Sequence, residues 1–149
     1  MSENAAQQGR LAVIDGQPFA PAAARISVYD RGFLYGDSVF ETLRTYNGEL
    51  FALDEHLGRL AESCESTAIP LPVPLSQLGD EAVEAARLAG NDECSLRIMV
   101  SRGQGPMGRD PANASVPLRV GLVEPLKLPP KAVYADGLSA WCIATVRAS

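Results

Sequence analysis

Asn47-Gly48 constrains this chain more than any other dipeptide in it. A two-residue type I′ turn needs positive φ at both central positions, which Asn and Gly reach at least cost, so this pair between extended runs specifies a tight antiparallel hairpin. The run before it, Ser38 to Tyr46, alternates with Val39 and Leu43 on one face and Phe40 and Tyr46 on the other, the period of a strand. Leu50 to Leu53 is expected to return as the partner strand. Asp54 then suits an N-cap. Leu57, Leu60, Ala61 and Cys64 follow at helical spacing as an apolar stripe, with His56, Arg59 and Ser63 on a neighbouring face.

The remainder reads in the same way. Leu11-Ala-Val-Ile14 and Gln17-Pro-Phe19 flank an Asp15-Gly16 turn, a second hairpin. Ile26 to Tyr29 is a short extended piece, followed by a glycine-bearing turn. The prolines of Ile69 to Pro74 end the first helix, because proline lacks a donor and restricts its predecessor. A second helix is expected from near Ser76 to about Ala89, stopped by Gly90-Asn91. Further strands are expected at Cys94 to Ser101, Pro117 to Glu124 and Leu138 to Arg147. In the last, Leu138, Ala140, Cys142, Ala144 and Val146 share a face. Arg102 to Pro111 reads as a flexible Gly/Pro loop, and Lys127 to Lys131 as a turn. The expectation is an α+β domain over residues 10–149, an antiparallel sheet with two helices packed on one side. Residues 1–9 are expected to be a disordered N-terminus.

Composition narrows the function classes. With 149 residues and 46% hydrophobic content, the chain can bury a core of its own. Its net charge of -5 and lack of a Lys/Arg block argue against nucleic acid. No stretch approaches ~20 apolar residues, so no membrane span is expected, and with no secretion-type leader the cytoplasm is the expected location. The single His and three dispersed cysteines offer no metal-ligand cluster. Cys64, Cys94 and Cys142 are expected to behave as small buried apolar groups.

Arg59 is the first candidate for chemistry. A guanidinium near a helix start can grip a phosphate through paired hydrogen bonds, helped by the helix dipole. The plainer alternative is a solvated arginine beside the apolar stripe, with His56 a partly buried polar neighbour. Tyr35 and Phe40, as aromatics near or in a strand, read as core. Arg97, between Leu96 and Ile98, is either a surface residue or a carboxylate partner. Arg102 and Arg109 read as solvated arginines near a turn, or as a gate to an entrance.

The segment from Tyr29 to Leu60, with Tyr35-Gly-Asp-Ser-Val-Phe-Glu41 and His56-Leu57-Gly58-Arg59, closely resembles the start of the class-IV (fold-type IV) pyridoxal-phosphate enzymes. The resemblance extends more thinly over residues 11–147 and favours the branched-chain amino-acid aminotransferases. It implies the small N-terminal domain of such an enzyme, with pyridoxal 5'-phosphate as cofactor and Arg59 on its phosphate. It further implies Tyr35, Phe40, Met107 and Gly108 around the substrate side chain and Arg97 near the substrate carboxylate. Ser95 stands where a well-studied branch has tyrosine. The D-amino-acid aminotransferases are less similar, since Met107 and Arg109 stand where they carry an arginine and a histidine. Aminodeoxychorismate lyases share the phosphate arginine but generally lack one at Arg97.

That family works through a Schiff-base lysine. Lys127 and Lys131 are the two lysines here, and neither matches it. The resemblance places the lysine and most of the phosphate cup in a second domain that these residues do not contain. The expectation is transamination between an aliphatic amino acid and 2-oxoglutarate in a homodimeric complete enzyme, with the 149 residues inactive alone. The alternatives are pyruvate elimination from aminodeoxychorismate and a non-catalytic isolated domain.

Overall fold

The computed structural model describes residues 9–114 and 116–144. The expected disordered segment at 1–9 lies, Gly9 apart, outside them. Six strands form one antiparallel sheet in the order β2-β1-β6-β5-β3-β4. They are β1 (Leu11–Ile14), β2 (Gln17–Phe19), β3 (Ser38–Tyr46), β4 (Glu49–Leu50), β5 (Cys94–Ser101) and β6 (Leu118–Pro125). The helices are α1 (Arg31–Tyr35), α2 (Leu53–Ser66), α3 (Leu75–Ala89) and α4 (Lys131–Asp136). The α+β class and the sheet with α2 and α3 on one side are as expected.

Both hairpins turn where the sequence says. Asp15 and Gly16 take φ of 49° and 80°, and Asn47 and Gly48 take 52° and 78°, the double positive φ of a type I′ turn. The core lies between the sheet and the two long helices. Leu43, Leu96, Ile98, Val100 and Val123 come from the sheet, and Leu57, Leu60, Cys64, Leu78, Ala82 and Ala85 from α2 and α3. Gly79 faces Leu57, and a Cβ there would sit 3.3 Å from Leu57 Cδ1, so the small residue lets the helices approach closely. Gly90 ends α3 in the left-handed region at φ 66°.

Five expectations need correction. The partner strand of the Asn-Gly hairpin is only Glu49–Leu50, because Ala52 turns left-handed at φ 52° and α2 begins at Leu53. Asp54 is therefore not the N-cap but an acid in the first turn, where it still faces the positive helix end. Ile26 to Tyr29 pairs with no strand, and the glycine-bearing turn after it contains α1, capped by Asp30 accepting from Gly32 N at 2.8 Å. No strand forms at 138–144, whose residues are exposed, Trp141 to 90%; residues 145–147 of that expectation lie outside the described ones. Alternation makes a strand only where a partner strand is met, and no strand of the sheet pairs with residues 138–144. Cys142 is consequently exposed, unlike buried Cys64 and Cys94. Among the described residues no helix is long and apolar enough to cross a membrane, and no cluster of metal-ligating side chains occurs.

Candidate functional site

Strand β3 places chemistry on both faces of the sheet. Leu43 and Thr45 are buried on the helix side, so Glu41, two residues earlier, points the same way. A carboxylate there needs partners. It finds them on α2, where His56 and Arg59 stand three apart on one face. Arg59 Nε donates to Glu41 Oε1 at 3.2 Å and Nη2 to Oε2 at 2.8 Å. His56 Nδ1 lies 2.7 Å from Glu41 Oε2 and 2.8 Å from Arg59 Nη2. One ring nitrogen serves one of these at a time: carrying a proton it donates to the carboxylate, and bare it accepts from the guanidinium. Burial pushes the Glu41 carboxyl up, but the bonds from Arg59 and His56 outweigh it and hold the group below the usual carboxylate range.

The triad is asymmetric. The Glu41 side chain is 16% exposed and that of Arg59 53%. Glu41 anchors the fork from within while its outer edge faces solvent. Among the described residues, Arg59 Nη1 makes no hydrogen bond to protein. Arg59 is nearly two turns into α2, and the helix-dipole field fades within the first turn. Its expected help from the dipole is therefore not available. The guanidinium itself is what an anion would meet.

Phe40 and Arg97 share the opposite face. In the register Phe40 faces Met99 and Thr42 faces Arg97, so Arg97 and Phe40 are diagonal neighbours. The Arg97 guanidinium carbon sits 4.5 Å from the Phe40 ring centroid, and Nε donates to Thr42 Oγ1 at 3.2 Å. Phe40 is 54% exposed rather than core. Beside Arg97 runs a cleft of about 620 Å³, whose wall includes Thr42, Ser95, Leu122, Arg10 and Lys127. Its cationic groups outnumber its one carboxylate, Glu124, which is paired with Arg10. An acidic ligand suits that balance.

Tyr35 and Gly108 form a third group. Gly108 N donates to Tyr35 Oη at 3.0 Å. Met107, next to it, is 76% exposed. Among the described residues no hydrogen bond or ring contact joins the Arg59, Arg97 and Tyr35 groups to one another, so the structure forms three partial sites rather than one closed pocket.

The loop after β5 is not the loose segment its glycines suggest. Arg102 is mostly buried: Nε and Nη2 donate to Asp37 at 2.8 and 3.1 Å, while Nη1 and Nη2 reach Ala68 O and Thr67 O beyond the end of α2. The solvated reading of Arg102 is thus replaced by a structural one. Arg109 is exposed. The bond from Arg102 holds the Asp37 carboxyl below its usual range, with Arg31 adding to it against burial.

Sequence reasoning singled out neither Glu41 nor the Arg31-Asp37-Arg102 network. Glu41 carried a signal, an acid on the core-facing parity of β3 opposite a His-x-x-Arg helix. Arg31 carried none, since its burial depends on a loop some 70 residues later.

Comparison with known proteins completes the picture. The sequence model of the family described as Amino-transferase class IV matches residues 38–149. A Methanocaldococcus jannaschii protein named as a branched-chain-amino-acid aminotransferase is 35% identical over 83% of this chain and 42% of its own. A D-alanine aminotransferase of Bacillus licheniformis is 29% identical over 86% of this chain and 45% of its own. The solved structure of 4-amino-4-deoxychorismate lyase from Pseudomonas aeruginosa superposes with a TM-score of 0.70 at 35% identity, over 85% of this chain and 44% of that one. The chain thus spans less than half the length of these relatives. It belongs to the class IV aminotransferase family.

Proposed function

We propose that this chain forms the small N-terminal domain of a pyridoxal-phosphate-dependent aminotransferase acting on an aliphatic, branched-chain amino acid with 2-oxoglutarate. One observation carries the reading: in a chain of this family, Glu41 fixes the Arg59 fork from inside while its outer edge faces solvent. That is how a phosphate anchor is preorganised, since the guanidinium has little rotamer freedom left to lose on binding.

The residues present fit the cofactor in part. Arg59 has donors to spare for a phosphate, and the inner pair with Glu41 leaves them pointing outward. A single guanidinium is less than a complete cup, so the remaining donors belong to polypeptide outside these residues. Pyridoxal phosphate, when bound, supplies an electron sink for breaking a bond at the Cα of an amino acid. Arg59 holds the phosphate end in place. Arg97, steadied by Thr42 and the Phe40 ring, offers its free donors to a substrate carboxylate. Phe40, Tyr35, Met107 and Gly108 exclude water from an aliphatic side chain. Neither Lys127, after β6, nor Lys131, opening α4, matches the cofactor lysine of the family that the sequence resembles, so the lysine that receives the cofactor belongs elsewhere. The chain is therefore inactive alone, and the complete enzyme is a cytoplasmic homodimer.

A second reading has an observation of its own, the 35% identity to the Pseudomonas aeruginosa lyase. It would make the product pyruvate. Arg97 supports the aminotransferase, because the lyases that the sequence resembles generally lack an arginine at this place.

The test uses the complete protein. Glutamate formation from leucine and 2-oxoglutarate, without pyruvate release from aminodeoxychorismate, is expected. Arg59→Gln should weaken cofactor affinity by about 30- to 150-fold, the effect of losing charge-assisted bonds worth ~2–3 kcal/mol. Unchanged affinity would refute the assignment of Arg59.

A further inference from the structure

The loop from Arg102 to Ala114 is held by a guanidinium that the proposed chemistry does not use. Arg31 is buried, 4% exposed, although it opens the short helix α1. Its Nε donates to Asp37 Oδ2 at 2.9 Å. Its Nη1 donates to Gly108 O at 3.0 Å and approaches Asp110 O at 3.4 Å. The same guanidinium lies 4.9 Å from the centroid of the Tyr35 ring. Tyr35 Oη in turn accepts from Gly108 N. Gly108 is thereby gripped on both of its backbone groups, the carbonyl by Arg31 and the amide by Tyr35.

The other end of the clamp is equally fixed. Asp37 cannot swing away from Arg31, because Arg102 takes both of its carboxylate oxygens from the far side and is itself bound to Thr67 O and Ala68 O. The peptide backbone adds Arg31 N to Gly103 O at 2.9 Å and Gly105 N to Tyr29 O at 3.3 Å. A loop that needed only to be tied down could be packed with apolar residues at no desolvation cost. A planar fork does something more specific: it fixes direction as well as distance. Here it fixes the Gly108 carbonyl, one residue's length from the amide that Tyr35 holds, while leaving the Met107 and Tyr35 side chains uncovered.

We propose that Arg31 is a positioning residue for substrate selection: it sets Gly108 and Met107 against Tyr35, and so sets the width of the pocket that receives the substrate side chain. This rests on the reading above, in which Tyr35, Met107 and Gly108 border that side chain. It adds a residue that touches no substrate and acts through Gly108.

The experiment compares Arg31→Lys and Tyr35→Phe with wild type in the complete holoenzyme. Lysine keeps the charge but cannot span Asp37 and Gly108 together, and phenylalanine removes only the acceptor for the Gly108 amide. Both variants should retain the cofactor absorbance. Each should lose about tenfold in the leucine-to-alanine ratio of kcat/KM, chiefly through KM for leucine, as expected for one lost charged or buried hydrogen bond. Hydrogen exchange at the Gly108 amide should quicken by about tenfold, while the Leu96 and Ile98 amides of β5 keep their wild-type rates. An unchanged substrate ratio in both variants overturns the proposal, whether or not exchange quickens. Faster exchange throughout β5 also overturns it, since that marks general loosening. Failure of the underlying reading looks different: the wild-type protein would itself bind no cofactor and turn over neither amino acid.

Discussion

The Glu41-Arg59 pair yields the sharpest energetic prediction, best read from a double-mutant cycle of Glu41→Gln, Arg59→Gln and the double variant in urea unfolding at neutral pH. Two bonds join the partners, at 3.2 and 2.8 Å. Charged hydrogen bonds can contribute ~1.5–3 kcal/mol each when buried. The Arg59 side chain is 53% exposed, and solvent screening brings exposed pairs down to ~0.2–1 kcal/mol. The carboxylate is 16% exposed, so the pair belongs at the top of that lower range. The expected coupling is therefore about 1 kcal/mol. The Glu41 carboxyl titrates below its ordinary value of 4.5 in the folded chain. Its contribution is then fully present above that value and is lost as the pH falls through the folded-state pKa. Repeating the cycle in acid should shrink the coupling toward zero. A neutral-pH coupling below about 0.3 kcal/mol, within ordinary additivity error, would refute the account of Glu41 as the inner anchor.

Other expectations follow from the same structure. Asp37 should add its own acid lability, because its carboxyl sits below the ordinary 3.8; stability should be flat near neutrality and fall below about pH 4, as chemical unfolding across that range will show. Leu60→Ala, at a side chain with no exposure, should cost ~2.7–5 kcal/mol in denaturant unfolding. Gly48→Ala, at φ 78°, should cost ~1–2 kcal/mol by the same measurement. Arg97→Met in the complete protein should raise KM for leucine and for 2-oxoglutarate by about tenfold or more while leaving cofactor absorbance intact; unchanged KM for both would count against a role in holding the substrate carboxylate.

Local chemistry made much of this architecture legible. Asn47-Gly48, Asp15-Gly16 and Gly90 fall where the backbone takes positive φ, because those choices are settled within a few residues. The helix stripe of Leu57, Leu60 and Cys64 is buried as its spacing required. Failure came where a partner decides. Leu138 to Ala144 alternates like a strand yet meets no edge. Leu50 to Leu53 is apolar enough for a strand, but the left-handed Ala52 cuts it short. At the site, Arg59 and Arg97 were visible as residues. Their setting was not: that Glu41 braces one and the Phe40 ring the other depends on register between distant segments. The burial of Arg31 and Arg102 was hidden for the same reason, since an arginine in a glycine-rich context reads as solvated until its carboxylate is located.

Strand β3 carries Phe40, Glu41 and Thr42 in succession, the outer two against Arg97 and the middle one against Arg59. Pleating thus wires two tasks into neighbouring codons while insulating them by the thickness of a sheet. Exchanging the aromatic at position 40 could retune what the molecule accepts without disturbing the brace at 41. A one-residue insertion upstream of them would be another matter: it would turn the carboxylate outward and the ring inward, disabling both tasks in a single event.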